Sequence, residues 1–200
     1  MKSRFILILI LLYHSINIYS QKAIFHHNKN ILKINPLGGV ASAIPLSIER
    51  FFINNYFSLG GSYTYISNKS GSGQSTYNND GFVIMPQLRH YFYNDSVSHV
   101  SIYIGGYYNY EEHYNKTLDR YSNAINGTAK GKGGGLLFGS QWFLKNGFVF
   151  DFYIGPGFIE YTRNNNYDNN VAKGGFLVSF TGPKNTGTKV KLGFSLGYSF

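Results

Sequence analysis

From Asn30 onward, apolar residues alternate with small or polar ones at a period of two, the signature of β-strands with two unlike faces. The C-terminus shows it most clearly. Val190, Leu192, Phe194, Leu196, Tyr198 and Phe200 interleave with Lys191, Gly193, Ser195, Gly197 and Ser199. A strand of that length exceeds the ~5–6 residues usual in soluble sheets. The pattern recurs upstream, with Leu32 and Ile34 on one face, then Ile44 to Phe52, Phe57 to Tyr65, Phe82 to Phe92 and Ile102 to Tyr110. Leu136 to Trp142 and Phe148 to Ile154 follow, so the alternation predicts eight strands in all.

The connections between these strands fall into two kinds. Asn54–Asn55, residues 94–98 and Lys145–Asn146–Gly147 are short turn sequences, whereas 67–80, 115–128 and 164–187 are long. Only 38–42, on the long side, is short. Outer-membrane barrels keep an even number of antiparallel strands, short periplasmic turns and long external loops. The expectation is therefore an all-β, antiparallel up-and-down transmembrane barrel of about eight strands over residues 31–200. Pro36, Pro86 and Pro156 fall within proposed strands, where each removes a ladder donor, and bulges are expected to absorb them. Were Gly155-Pro156-Gly157 a true turn, the count would rise to ten. Residues 171–180 are assigned to the last external hairpin, because a ninth strand would put the C-terminus outside.

The first residues differ from all that follows. Lys2 and Arg4 precede the apolar run Phe5 to Leu12, which falls short of the ~20 residues a membrane helix needs. Residues 1–20 read as a cleavable signal peptide with a junction at Ser20–Gln21, and 21–30 as a periplasmic extension. No other segment approaches membrane-helix length, so any spanning must be done by strands. Composition agrees: 14% charged residues, 18 Tyr, 17 Phe and 24 Gly, with a mean hydropathy of −0.18, suit a surface shared between lipid and water. The absence of cysteine excludes disulfides, lipoprotein attachment and a cysteine nucleophile. The formal charge of +9 is scattered without a Lys/Arg run, which favours an anionic membrane surface over nucleic acid.

Three stretches carry a resemblance: Asn30-Ile-Leu-Lys-Ile-Asn-Pro-Leu-Gly38, Leu46-Ser-Ile-Glu-Arg50 and the ending Leu196-Gly-Tyr-Ser-Phe200. With them the chain resembles the small uncharacterised outer-membrane β-barrels of Bacteroidetes-type bacteria, similar in architecture to OmpA/OmpX-type barrels. The resemblance implies location in the bacterial outer membrane. It also implies that Tyr198 and Phe200 belong to the signal read by the barrel-insertion machinery. The usual signal favours glycine where this chain has Ser195.

Candidate chemistry is sparse. Lys33, Glu49, Arg89 and Asp151 share the face assigned to the lumen, where buried charges must pair, and they are expected to form an ion-pair network. Lys130, Lys132, Arg163, Lys189 and Lys191 are expected to form a basic rim facing lipopolysaccharide phosphates at the external strand ends. The six His residues show no shared metal-ligand spacing. His99-Val-Ser101 resembles the His-x-Ser of a lipid A deacylase but starts at the periplasmic side, and Glu111, Glu112 and His113 form an acid/base set by type alone. No catalytic residue, metal or cofactor is assigned. The expected role is structural or surface-interacting, with membrane lipid and lipopolysaccharide as partners, an unidentified loop partner and no nucleic acid. The alternative is an outer-membrane enzyme or narrow transporter acting on lipid or small solutes.

Overall fold

The computed structural model describes residues 29–36, 43–53, 56–72, 75–95, 99–118, 124–144, 146–164 and 186–200. The segment read as a signal peptide, most of the segment read as an N-terminal extension, the connection near 38–42 and the segment 171–180 lie outside the described residues. The strands are β1 (Asn30–Ile34), β2 (Ala43–Phe52), β3 (Phe57–Ser72), β4 (Ser75–Asp95), β5 (Val100–Leu118), β6 (Ala124–Phe143), β7 (Phe148–Arg163) and β8 (Gly187–Ser199). Each pairs antiparallel with the next, and β8 returns to β1 to close the ring. Among the described residues the seam is narrow: β1 meets β8 over four residue pairs, Ile31↔Ser199 to Ile34↔Leu196, backed by bonds between the Asn30 and Phe200 backbones.

Period-two alternation sends odd and even residues to opposite faces. On β7, Val149, Asp151 and Gly155 are buried in the lumen while Phe148, Phe152, Ile154 and Phe158 are exposed outward. The outer face carries two aromatic levels. Phe52, Phe57, Phe92, Trp142, Phe148 and Tyr198 lie toward the end bearing the short turns and both termini of the barrel. Tyr63, Phe82 and Tyr110 lie toward the opposite end, as neighbours across β3, β4 and β5 with ring centroids 6.4 and 6.0 Å apart. Leu59, Ile84, Leu88, Ile102 and Leu136 fill the belt between, all exposed. From Phe57 to Tyr65 a tilted strand climbs roughly 20 Å, close to the height of the apolar band of outer-membrane barrels.

Two of the expected long connections are largely strand. β3 and β4 stay paired to Ser72↔Ser75, and β5 and β6 to Leu118↔Ala124. At 21 residues, β4 is roughly 70 Å long, well beyond what a tilted strand needs to cross a bilayer. These stretches lack apolar alternation in the sequence, but main-chain pairing does not require it.

The prolines are absorbed without the expected bulges. Pro36 lies past the end of β1. Pro86 faces outward, and the pairs on either side of it, Ile84↔Tyr110 and Gln87↔Tyr107, keep one register. Pro156 likewise interrupts the β6 ladder between Gly135↔Gly157 and Phe138↔Ile154 without shifting it, so β7 runs straight through and the described residues form eight strands. A missing donor costs one ladder bond and does not have to change register. The bulge that does occur lies elsewhere on β4, between Tyr91 and Tyr93. At the short turn after β6, Gly147 has φ +88°, a left-handed conformation that glycine adopts without strain, and its N–H donates to the Leu144 carbonyl at 3.0 Å.

Candidate functional site

The lumen is filled in layers. Nearest the short turns lies an apolar and aromatic plug of Ile31, Phe51, Tyr91, Tyr103, Phe143 and Val149, with Phe51 and Tyr91 rings 5.0 Å apart. Directly above it, Lys33, Glu49, Arg89 and Asp151 come together from β1, β2, β4 and β7, each less than 5% exposed. Lys33 Nζ contacts Glu49 and lies 2.6 Å from Asp151 Oδ2, and Arg89 Nη1 lies 2.8 Å from Asp151 Oδ2 and 3.4 Å from Glu49 Oε2. Two cations face two carboxylates, so the cluster is neutral.

The carboxylates are almost fully solvated by protein donors. Glu49 accepts from Ser58, from the Tyr91 hydroxyl at 2.5 Å and from Gln141 Nε2 at 2.7 Å. Asp151 Oδ1 accepts from the Tyr103 hydroxyl at 2.8 Å. Arg89 donates through Nε and Nη2 to Gln87 at 3.1 and 2.8 Å and sits 4.3 Å above the Tyr103 ring. Charge-assisted bonds of this number offset the desolvation that makes a sparse buried ion pair costly. Every strand except β8 contributes a side chain, so the cluster acts as a hoop. Its Lys33–Asp151 arm crosses the seam by joining β1 to β7 past β8.

Parity in the sequence identified the four charges. It did not identify Ser58, Gln87 and Gln141, because knowing that they share the hoop's level requires the inter-strand register. Glycines make room for the rings. A side chain at Gly139 would meet the Tyr103 ring and the Phe152 carbonyl, and one at Gly193 would meet the Tyr153 ring.

The five basic residues expected to form one rim do not share a surface. Lys130 and Lys132 face outward on β6, whereas Lys189 and Lys191 turn into the lumen from β8, at 6% and 7% exposure. Arg163 ends β7 on the lumenal parity. Alternation forces this split, since residues on adjacent strands share a face only when their register parity matches. Outside, Lys130 Nζ lies 2.8 Å from Glu112 Oε1 and Lys132 is the register partner of Glu160, so carboxylates offset the outward positive charge. Inside, the Tyr161 hydroxyl bonds Glu111, and His113 Nε2 lies 3.4 Å from Glu111 Oε2. The acid/base set 111–113 is thereby divided between two faces. His99, at φ +56°, and buried Ser101 sit at the plug end. Between hoop and upper lumen, Lys33, Glu49, Arg89, Asp151, Tyr153 and Lys191 line part of a cavity of about 60 Å³, space for a few waters. Among the described residues, no group of three or more His, Asp or Glu side chains is placed to hold a metal ion.

A closed eight-stranded ring with an apolar outer belt and a filled bore is the architecture of the small outer-membrane β-barrels. Within that class the chain belongs to the family described as "Protein of unknown function (DUF3575)", matched over residues 6–200. Among solved structures it is similar in fold to a major outer membrane protein from Thermus thermophilus, at 11% identity and a TM-score of 0.51, covering 88% of this chain and 100% of that one. It is more distantly similar to Ail, the attachment invasion locus protein of Yersinia pestis, and to Neisserial surface protein A. Identities are 13% and 15%, each with a TM-score of 0.45 and coverage of 86% of this chain and 93% of the other. No curated protein matches the sequence.

Proposed function

We propose that the protein is a bacterial outer-membrane barrel, exported by its N-terminal signal, that serves a structural or surface-interaction role. The observation carrying this reading is the combination of an apolar belt roughly 20 Å tall with strand pairing that continues far past it as polar hairpins. Both termini of the barrel and the short turns sit at the other end, the periplasmic one in this orientation. The hoop and the plug fill the bore, which disfavours a transporter and leaves the hairpins as the part that meets the surroundings. The exposed side chains of Tyr198 and Phe200 support recognition by the insertion machinery.

The test is mobility of the outer-membrane fraction in SDS, unheated against boiled, together with conductance of the purified barrel in planar bilayers. A heat-dependent shift with silent bilayers supports the reading. A soluble protein without a shift would remove the barrel from the membrane, and steady conductance would replace the structural role with transport.

A further inference from the structure

The two charged layers of the lumen differ in balance. The hoop is neutral, but the layer above it holds Lys189 and Lys191 against a single inward carboxylate among the described residues, Glu111, which is also bonded by Tyr161. Among the described residues, Lys191 has no carboxylate within ion-pair distance. Its ammonium donates to Asn109 Oδ1 at 2.5 Å and lies 5.3 Å from the centre of the Tyr107 ring. Lys189 lies 5.8 Å from the Tyr161 ring centre. An ammonium has three protons to place, so a neutral amide and a ring face leave protons of Lys191 for an occupant of the cavity it lines.

Two further donors converge on the same place. Tyr107 reaches from β5 across β6 until its hydroxyl lies against Gly157 of β7, the register partner of Lys189 on β8. That hydroxyl and Asn109 Nδ2 are both buried without a hydrogen-bond partner, at 6% and 0% residue exposure. Unsatisfied donors are costly when buried, and unpaired charge more so. Lys191 with its neighbours Asn109 and Tyr107 brings together an ammonium, a free amide N–H and a free phenol, and Lys189 stands one inward position further along β8; the group lacks an acceptor carrying negative charge.

We propose that the outer half of the lumen is a binding site for a small oxyanion, held by Lys191 and Lys189 with Asn109 Nδ2 and the Tyr107 hydroxyl as neutral donors. The anion enters from the hairpin end, because the hoop and plug close the other. The site is independent of the surface role proposed above and requires only that the barrel be folded.

The experiment uses the purified full-length barrel in phospholipid-free detergent with inorganic phosphate as the probe. Loss of the fast-migrating folded form is followed with temperature at constant ionic strength, and phosphate binding is measured directly by ³¹P line broadening. Wild type is expected to show saturable broadening and a higher melting temperature in phosphate. Lys191→Met is expected to weaken phosphate binding roughly tenfold or more while the phosphate-free barrel stays as stable as wild type, since removal of an unpaired buried cation relieves a cost. Lys191→Arg should retain much of the binding. Should Lys191→Met fail to fold, Asn109→Asp, which fills the same space with a fixed negative charge, is expected to abolish phosphate dependence. Non-saturable broadening in wild type, or a phosphate response unchanged in both Lys191→Met and Asn109→Asp, would overturn the site. So would saturation appearing only when lipopolysaccharide is added, because the phosphate would then be a headgroup outside the lumen.

Discussion

A single truncated side chain or added methyl group is enough to unsettle the hoop, because its members share acceptors. Asp151 takes bonds from Lys33, Arg89 and Tyr103, so Asp151→Ala strands two buried cations on Glu49 alone. Breaking a buried pair this way costs about 3–5 kcal/mol. Urea titration of the folded form should show a loss of that size, larger than for a belt substitution such as Ile84→Val. The glycines beneath the rings give a finer test. A Cβ on Gly139 would stand 2.5 Å from the Tyr103 hydroxyl that donates to Asp151, whereas one on Gly61 finds nothing nearer than 3.8 Å. Gly139→Ala is expected to cost about 1–3 kcal/mol by overpacking, and Gly61→Ala to be close to neutral in the same titration. The charges of the hoop could be read from parity along single strands. Their neutral partners could not, because Ser58 meets Glu49, and Gln141 reaches it, only through a register and a diameter that no one strand contains.

Strands obey two different rules along their length, which explains where the sequence was informative. Within the belt, each strand must offer lipid-compatible groups on one face and packing groups on the other, so alternation marks Phe57 to Tyr65 and Phe148 to Ile154 clearly. Beyond it the sequence no longer alternates and only the backbone ladder persists. Asn78↔Lys69 and Lys116↔Asn126 are paired strand residues that composition alone presents as loop. Proline was misleading for a related reason, since Pro86 and Pro156 each forgo a bond without shifting the register around them. The hairpin portions should therefore be energetically separable from the barrel. Replacing residues 68–79 with a short turn is expected to leave the heat-dependent mobility shift intact and to change the barrel's urea midpoint little. Unfolding on that deletion would show that the hairpin braces the ring.

At the scale of the molecule, the decisive matter is which way the barrel is turned out. An apolar exterior around a polar, ion-paired interior inverts the arrangement of a soluble domain, and both halves of that inversion can be read from one natural probe. The chain has a single tryptophan, Trp142, on the outer face of β6 beside Phe152, with ring centroids 5.8 Å apart and the indole residue 48% exposed. Its level, opposite Phe150 on β7 and Val100 on β5, puts it among the aromatics of the turn end, where indoles favour a membrane interface. In liposomes containing lipids brominated near the top of the acyl chain, Trp142 fluorescence is expected to be strongly quenched. Aqueous iodide should quench it weakly. Replacing Trp142 with Phe and moving the indole to lumenal Phe143, which packs against Phe51 at 6.3 Å, should remove sensitivity to both quenchers in a barrel that still shows the heat-dependent shift. Strong iodide quenching of Trp142 would place the belt in water, and the apolar side chains from Leu59 to Phe152 would then have to be covered by protein instead of lipid. Lipid quenching at 142 combined with silence at 143 would mean that one alternating sequence has built a wall with hydrocarbon on one side and a packed, charge-balanced core on the other.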